Sequence, residues 1–294
     1  MKERIITLMQ KIAFPEESIL AISDATEKLL CDGEANAVFC ELLSRYEKTE
    51  HCDYLKLLTD MEALSQKVGI SEYTGAMILL LAMCEKLKQR YDERGLPEEV
   101  FYNTVADLKY KNEECRLLFG IHGTFVAGWY PGFFKLERFA LGRLQFEISK
   151  LSYDCECDGI QLSQDSDAIF IHIPRTGTRL DHNEVMESYR RAKEFFKNQF
   201  EGKPTAFACH SWLLYPWHEE ILSPSSNLYA FYKDFKIVAS GNTDKHEDAW
   251  RLFDCIFDGD ASKLPRDSSL RRAYADRIAS GKPTGWGMGV FILN

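Results

Sequence analysis

The chain has 294 residues, of which 45% are hydrophobic and 28% are charged, with 18 glycines and 9 prolines. This ordinary globular composition excludes a disordered or low-complexity protein, and the length suffices for two domains that each bury a core. The formal net charge of −9 excludes a general nucleic-acid-binding protein, because the neutralisation of phosphates requires a concentrated basic face.

The start of the chain predicts neither export nor membrane insertion. Its first ten residues alternate charged and apolar side chains and lack the apolar core and cleavage site of an export signal. The longest apolar run, residues 76–84, falls short of the roughly 20 residues that a membrane span needs. Nine cysteines, an odd number, are scattered along the chain, as is typical of unpaired thiols in a reducing compartment. We therefore expect a cytoplasmic protein without a membrane partner.

Residues 1–121 predict a domain that is built only of helices. Ser71 precedes a long apolar helix over residues 72–94, and Gly95 ends it, as start and stop signals require. This part carries 15 Lys+Arg against 22 Asp+Glu, whereas residues 122–294 carry 21 against 23. Helical periodicity recurs throughout, for example in Leu55, Leu58, Met61, Leu64 and Val68.

A second domain is predicted for residues 122–294. Leu144, Phe146 and Ile148 alternate with polar residues, which is typical of a half-buried strand. This mixture of element types predicts an α+β protein, in which an all-helical domain precedes a mixed-sheet α/β domain. The later elements are a strand at 168–173, a helix at 183–200, a strand at 205–214, a helix at 227–233, a strand at 235–240 and a strand near 288–293.

One pair of cysteines has the spacing of metal ligands. Cys155 and Cys157 stand two apart in an acidic stretch that we predict to be a loop. A single Cys-x-Cys lacks the second pair of ligands that a zinc site needs. We therefore expect no metal.

The loop at residues 174–179 joins the buried strand 168–173 to the helix 183–200. A glycine loop between a strand and a helix start attracts anions through its amides, and its two arginines add charge-assisted bonds. Asp181 and Glu184 predict a helix cap that uses the same donors, so an anion would lie on the loop itself. The alternative is an ordinary strand-to-helix connection. The candidate residues are Pro174, Arg175, Thr176, Gly177, Thr178 and Arg179.

Several spaced segments carry a family resemblance. They are Leu141-Gly-Arg-Leu-Gln-Phe-Glu147, His172-Ile-Pro174, Glu187 to Phe196, Cys209-His-Ser-Trp-Leu-Leu214 and Ser226-Asn227. Together they resemble a bacterial family of acyltransferases that pair a helical N-acyltransferase N-terminal domain with a GNAT-like C-terminal domain, and the resemblance covers nearly the whole chain. It implies a GNAT fold, an acyl-coenzyme A donor that carries an acetyl or longer group, and a small-molecule or peptide amine as the acceptor.

The resemblance also implies roles for particular residues. The loop 174–179 stands where a GNAT domain binds the pyrophosphate of coenzyme A, although the usual Arg/Gln-x-x-Gly-x-Gly/Ala pattern is replaced by an arginine and a glycine at another spacing. Residues 227–235 resemble the GNAT helix in which a tyrosine protonates the leaving thiolate, which makes Tyr232 the candidate acid and Asn227 a candidate cofactor contact. Asp234 replaces a glycine of that pattern. The alternative for Tyr232 is core packing.

His210, at the end of the predicted strand 205–214, is the candidate general base. Acyl transfer to an amine requires removal of a proton, and neutral imidazole is available near pH 7. The alternative is a core or capping histidine. A nucleophilic pair with Cys209 is disfavoured, since neighbours on a strand point to opposite faces. Further candidates for the substrate pocket are His122, His172, Trp212 and Trp217. The alternative for His172 is a side chain that only meets solvent, and for the two tryptophans it is packing.

The sequence therefore predicts an acyl-coenzyme A-dependent N-acyltransferase that works by direct transfer. The acidic helical domain favours a cationic amine as the acceptor. Two alternatives stay open. One is a non-catalytic binding protein on a GNAT scaffold, which the altered loop favours, and the other is a hydrolase that uses His210 or His122.

Overall fold

The computed structural model describes residues 1–246 and 248–293 and divides into two compact units, residues 1–140 and residues 141–294. The first unit is helical and the second contains a mixed sheet, which confirms the predicted fold class. The boundary between the units differs from the predicted one after residue 121, because the following segment packs in the first unit. Tyr46 donates a hydrogen bond to the carbonyl of Phe134 at 3.1 Å, and Thr74 donates one to the carbonyl of His122 at 2.8 Å.

The first unit is a set of packed helices around α5, whose residues from Met77 to Leu81 are all buried. Ser71 caps this helix as predicted, because its side chain accepts a hydrogen bond from the amide of Tyr73. No helix in the described part of the chain is long and apolar enough to span a membrane. The helices are α1 (Lys2–Lys11), α2 (Glu16–Cys31), α3 (Gly33–Lys48), α4 (Tyr54–Val68), α5 (Glu72–Glu93), α6 (Glu98–Val105), α7 (Asp107–Phe119) and α8 (Pro131–Phe134).

The second unit follows strand β1 (Arg138–Leu141), which spans the boundary between the units. Five of its strands are neighbours in the order β2, β5, β6, β8, β7, and only the β5–β6 pair is parallel. The strands are β2 (Leu144–Lys150), β3 (Cys155–Cys157), β4 (Ile160–Leu162), β5 (Asp167–His172), β6 (Ala206–Ser211), β7 (Lys236–Thr243) and β8 (Thr284–Ile292). The helices are α9 (His182–Phe195), α10 (His218–Ile221), α11 (Asn227–Lys233), α12 (Ala249–Phe253) and α13 (Ser269–Ala279).

Some predicted elements end earlier than the sequence indicates. The α-helix predicted over 183–200 ends at Phe195, and a 3₁₀ turn follows at Lys197–Phe200. The strand predicted over 205–214 ends at Ser211, where a 3₁₀ turn begins. The acidic stretch around the two cysteines forms the β3–β4 hairpin and not a loop, because Asp158 and Gly159 adopt positive φ values of 51° and 79° that close a tight turn.

The two faces of the sheet have separate cores. On one face, Tyr189 of α9 packs against Phe207 and Phe291, with ring centroids 5.7 and 4.8 Å away. On the other face, the β3–β4 hairpin contributes Cys157 and Leu162 to a buried cluster with Ala208, Met288 and Val290. The candidate site residues of β5 and β6 are thus assigned to a face by their place in the strand.

Helix α9 is held on the sheet by a buried serine. The hydroxyl of Ser188 accepts a hydrogen bond from the amide of Arg143 at 2.8 Å and donates one to the carbonyl of Glu184 at 2.7 Å. Gly142 beside it has a φ of +83°, and a Cβ there would lie 2.7 Å from the Ser188 hydroxyl. The Leu141–Glu147 and Glu187–Phe196 segments therefore place α9, and with it the loop 174–179 that precedes it.

Candidate active site

The parallel strands β5 and β6 separate toward their carboxyl ends. They pair only at Ile169–Phe207 and Phe170–Ala208. Strand β5 continues to pair with β2 up to His172, and β6 continues to pair with β8 up to Ser211. Within the described chain, the ends of these two strands therefore leave backbone groups that are not bridged to each other. Such an opening lets an extended polar ligand pair with strand backbone, and it lies at the carboxyl ends of parallel strands, where ligands bind in open α/β sheets.

Two predicted histidines lie on one face of this opening. Residues two apart on a strand share a face, so His172 lies on the face of Phe170 and His210 on that of Ala208. Phe170 and Ala208 are paired partners, which puts both imidazoles on the face opposite α9. The structure thus places these two candidates on the same face of the sheet, each at the carboxyl end of its strand.

The His210 imidazole is exposed and packs against the ring of Trp286, with centroids 4.5 Å apart. Its ring makes no hydrogen bond or ion pair with any other residue that the structure describes. An accessible imidazole with its nitrogens available is suited to accept a proton from a substrate. The predicted alternative of a core histidine does not apply, because the side chain reaches solvent.

The His172 imidazole instead contacts a carboxylate. Its Nε2 lies 2.7 Å from Oε1 of Glu147, and both side chains are partly exposed. A carboxylate at this distance fixes the orientation of an imidazole. Glu147 was not among the predicted site residues, because only the antiparallel register of β2 and β5 brings it beside His172. Two signals could have identified it: its position among the polar residues of β2 and its place in the Leu141–Glu147 segment that carries the family resemblance.

The two arginines of the loop at residues 174–179 have different surroundings. Nη1 of Arg175 forms an ion pair with Oδ1 of Asp254 at 2.5 Å, while Arg179 is exposed and pairs with no described carboxylate. Gly177 has a φ of +78°, which glycine tolerates without strain. The carbonyl of Pro174 accepts a hydrogen bond from Arg143 at 3.0 Å, so the start of the loop is fixed.

The N-terminus of α9, which follows the loop, is already capped. The side chain of Asp181 accepts hydrogen bonds from the amides of Asn183 and Glu184 at 2.9 and 3.3 Å. Two of the helix's first donors are thereby occupied, as predicted. An anion at this place would contact the loop amides and arginines and not the end of the helix.

Helix α11 contains the other candidates for catalysis and cofactor binding. Asn227 is its first residue, and Tyr232 is buried near its end, beside Phe231. Burial raises the pKa of the Tyr232 hydroxyl, so this group gives up its proton less readily than an exposed tyrosine. No hydrogen bond in the described part of the chain joins Tyr232 to His210. These two candidates are therefore not linked by direct contact.

Asp234, which stands where the GNAT pattern has glycine, ties α11 to α9. Its carboxylate lies 2.8 Å from Nε2 of His182 and accepts a hydrogen bond from the Tyr189 hydroxyl at 3.2 Å. Burial raises the pKa of Asp234, and the contact with His182 opposes that shift. This departure from the pattern thus has a structural explanation.

Trp212 and Trp217 lie in an apolar cluster with helices α12 and α13. Their rings are 5.9 and 5.3 Å from the ring of Tyr274. Trp217 also packs beneath the Arg277 guanidinium at 4.2 Å, a contact that supports the alternative of packing. Trp212 differs, because it lines a narrow cleft beyond the end of β6.

His122 lies in the first compact unit, whereas the other site candidates lie in the second. Its Nδ1 is 3.0 Å from the hydroxyl of Ser18, and burial is the main cause that lowers its pKa. Within the first unit these contacts support a structural role.

No group of three or more His, Cys, Asp or Glu side chains that could hold a metal occurs among residues 1–246 and 248–293.

Comparisons with known families match both parts of the chain. A model of the N-acyltransferase N-terminal domain matches residues 3–136, and a model of the GNAT-like C-terminal domain matches residues 139–291. No curated protein matches the chain.

Several solved structures share the fold. One is an acyltransferase in complex with decanoyl-CoA and teicoplanin, with a TM-score of 0.76 and 21% identity over 99% of this chain and 88% of that chain. A variant acyltransferase in complex with octanoyl-CoA gives 0.75 and 21% over 99% and 88%. An acyltransferase in complex with CoA and 10C-teicoplanin gives 0.74 and 21% over 98% and 87%.

Proposed function

Because the chain belongs to the family that joins an N-acyltransferase N-terminal domain to a GNAT-like C-terminal domain, we propose that it transfers an acyl group from acyl-coenzyme A directly to an amine. The family and fold expected from the sequence are confirmed. The observation that carries the proposal is the opening between β5 and β6, which stands beside a strand, glycine loop and helix. The acyltransferases of similar fold were solved with CoA or its decanoyl and octanoyl thioesters, which supports a thioester donor.

We propose that the donor binds with its pyrophosphate on the loop 174–179 and its pantetheine amides along the open ends of β5 and β6. Arg179 is the accessible cation of this loop, and Arg175 would exchange Asp254 for a phosphate. Asn227, at the start of α11, is proposed as a further contact of the pantetheine. The helix end contributes only its dipole, since Asp181 occupies its first donors.

In the proposed reaction, the amine nitrogen attacks the thioester carbonyl, and the C–S bond then breaks. A strand amide at the opening would polarise the carbonyl oxygen. His210 accepts the proton that the amine loses, while Tyr232 or solvent supplies a proton to the departing thiolate. His172 with Glu147 lies on the same face and would help to position the acceptor amine.

Removal of both arginines of the loop tests the donor site. We expect the Arg175→Ala/Arg179→Ala variant to bind coenzyme A at least tenfold more weakly in isothermal titration, because charge-assisted contacts to phosphate are lost. The matched control is Arg190→Ala/Lys197→Ala, which removes two exposed cations that pair locally with Glu187 and Glu194. Equal affinity of the loop variant and the wild-type protein would contradict the assignment of the loop.

A non-catalytic binding protein is the second candidate, and the Arg175–Asp254 ion pair is the observation that favours it. A loop arginine that stays on Asp254 would not take a phosphate. The two candidates differ in turnover, because only the enzyme releases coenzyme A thiol in the presence of an amine.

We propose a small-molecule or peptide amine as the acceptor. We also propose a reducing cytoplasm as the compartment of the protein, since all nine cysteines are unpaired thiols.

A further inference from the structure

We infer that Arg271 of α13 joins Arg175 in a binding site for a phosphate group of the donor, and that the Asp254 carboxylate occupies this site until the donor binds. The inference rests on the proposed function, to which it adds a second arginine and an internal anion that competes with the donor. All three side chains belong to the second compact unit.

The Asp254 carboxylate lies between two guanidinium groups. Its Oδ1 is 2.5 Å from Nη1 of Arg175, and its Oδ2 is 2.6 Å from Nη2 of Arg271. Arginine binds carboxylate and phosphate groups through the same N–H donors. A phosphate that takes the place of the Asp254 carboxylate can therefore make the same contacts with both arginines.

Arg271 is held in position by groups other than Asp254. Its Nε donates a hydrogen bond to the carbonyl of Leu252 at 2.8 Å, and its Nη1 lies 2.9 Å from Oδ2 of Asp267. The contact with Asp254 uses Nη2. When the Asp254 carboxylate moves away, the guanidinium thus keeps two contacts that fix its orientation. A donor group that is preorganised in this way binds a ligand with little further loss of side-chain freedom.

The site is accessible from solvent. The side chains of Arg175, Asp254 and Arg271 are 37%, 24% and 20% exposed. Ion pairs that water reaches contribute little to stability, so the contacts of Asp254 can be exchanged at small cost. Coenzyme A carries several phosphate charges, whereas Asp254 carries a single charge. The donor, which also gains the proposed contacts along β5 and β6, can therefore displace the carboxylate.

The backbone at Asp254 suggests a variant that removes only the charge. Asp254 directly follows α12 and has a φ of +58°, in the left-handed region where aspartate and asparagine occur more often than most other side chains. Asparagine has nearly the same shape as aspartate and tolerates the same backbone. Asp254→Asn should therefore preserve the end of α12 while it weakens the hold on both arginines.

Isothermal titration of the full-length protein with CoA tests the site. We expect Asp254→Asn to bind CoA roughly threefold to tenfold more tightly than the wild type, because the phosphate no longer displaces a carboxylate. The matched control is Asp276→Asn, which removes an exposed carboxylate of α13 that pairs with Arg266. This control makes the same change in net charge and should leave the affinity for CoA unchanged.

A second ligand identifies the phosphate that binds. If Asp254→Asn also binds 3′-dephospho-CoA more tightly than the wild type does, the phosphate belongs to the pyrophosphate. If the gain is confined to CoA, the 3′-phosphate occupies the site. Both results support a phosphate site at these two arginines.

Arg271→Gln tests the second arginine. We expect it to weaken CoA binding by roughly fivefold or more, because a charge-assisted contact with the phosphate is lost. Binding of pantetheine, which has no phosphate, should stay unchanged in ligand-observed NMR. Equal weakening of both ligands would show that Arg271 only supports the fold, and the inference would be wrong. This variant decides the question alone if Asp254→Asn does not fold.

The outcomes separate this inference from the proposed function. If the wild type binds CoA and the folded Asp254→Asn variant binds it equally or more weakly, Asp254 does not compete with the donor, and the proposed function stands. If the wild type and all variants fail to bind CoA, the proposed function fails, and this inference fails with it.

Discussion

The imidazoles of His172 and His210, which lie on the face of the sheet opposite α9, differ in their contacts. His210 packs on Trp286 and is exposed, whereas His172 lies 2.7 Å from a Glu147 oxygen. An imidazole in contact with a carboxylate is oriented by it, while an accessible one exchanges protons readily with a bound amine. This difference underlies the assignment of proton removal to His210 and of positioning to His172.

We expect His210→Gln to lower kcat by roughly 10²-fold to 10⁴-fold, the usual contribution of a general base, without weakening CoA binding. Release of coenzyme A thiol in the presence of a saturating amine measures the rate. The comparison variant is His172→Gln, which should raise KM for the amine more than it lowers kcat. Full activity of His210→Gln together with an inactive His172→Gln would transfer the role of the base to the Glu147–His172 pair.

At the scale of residues, the sequence predicts those features that depend only on neighbouring residues in the chain. Alternation along a strand predicts the face of His172, and the acids after the loop predict the cap at Asp181. Contacts between distant segments escaped prediction. Asp254 lies far along the chain from Arg175, and Glu147 reaches His172 only through the register of two strands. No periodicity in a single sequence encodes either contact.

At the scale of elements, strong patterns succeeded and short elements failed. The strand β5, the helix α9 and the helix α11 occur within one or two residues of their predicted starts, because each has a clear apolar stripe or cap. The β3–β4 hairpin has only three residues in each strand, too few for a visible alternation. Helices α12 and α13 were also not predicted. Their apolar residues pack in a separate cluster with Trp212 and Trp217, and not on the central sheet.

His218 links the turn after β6 to helix α13, and it makes the stability of this contact depend on pH. Its Nδ1 donates to the carbonyl of Leu213 in the turn after β6, and its Nε2 accepts from the Tyr274 hydroxyl of α13, at 2.8 and 2.6 Å. Both ring nitrogens are thus used by the neutral form. Burial lowers the pKa of His218, and the bond to Leu213 only partly opposes this shift.

A histidine with a lowered folded pKa binds protons more readily in the unfolded state. Its stabilising contribution is complete above the ordinary histidine pKa of about 6.5 and is lost as the pH falls below it. We expect the melting temperature to fall between pH 7.5 and 5.5, and His218→Gln to make this fall less steep. His122 and His246, whose pKa values burial also lowers, should account for part of the remaining slope.

Thermal unfolding at several pH values measures this effect, with His51→Gln as the control. The His51 side chain is 67% exposed, so its replacement removes a histidine without removing a buried contact. At pH 7.5, His218→Gln should also lower the free energy of unfolding by roughly 1–3 kcal/mol, because the Tyr274 hydroxyl loses a buried partner. Parallel pH curves for the wild type and His218→Gln would contradict the role of His218.

At the scale of the whole molecule, the predicted order of domains was correct and their boundary was displaced. The change in composition at Gly120 marks the end of helix α7 and not the end of the first unit. The aromatic segment that follows packs within that unit, where Tyr130 and Phe134 are almost fully buried. Composition shows where an element type changes, whereas only packing shows to which core a segment belongs.

Net charge adds an effect that no single residue carries. The chain has a formal charge of −9, and a negative field raises the local concentration of cations and repels anions. We therefore expect KM for a dicationic diamine to rise roughly threefold to tenfold between about 0.02 M and 0.3 M salt, since screening shortens the reach of the charges. The measurement uses saturating acyl-coenzyme A, so that only acceptor binding varies, and a zwitterionic amine as the control. A rise of the same size for both amines would show that salt acts on the donor or the fold, and acceptor charge would then have no part in selection.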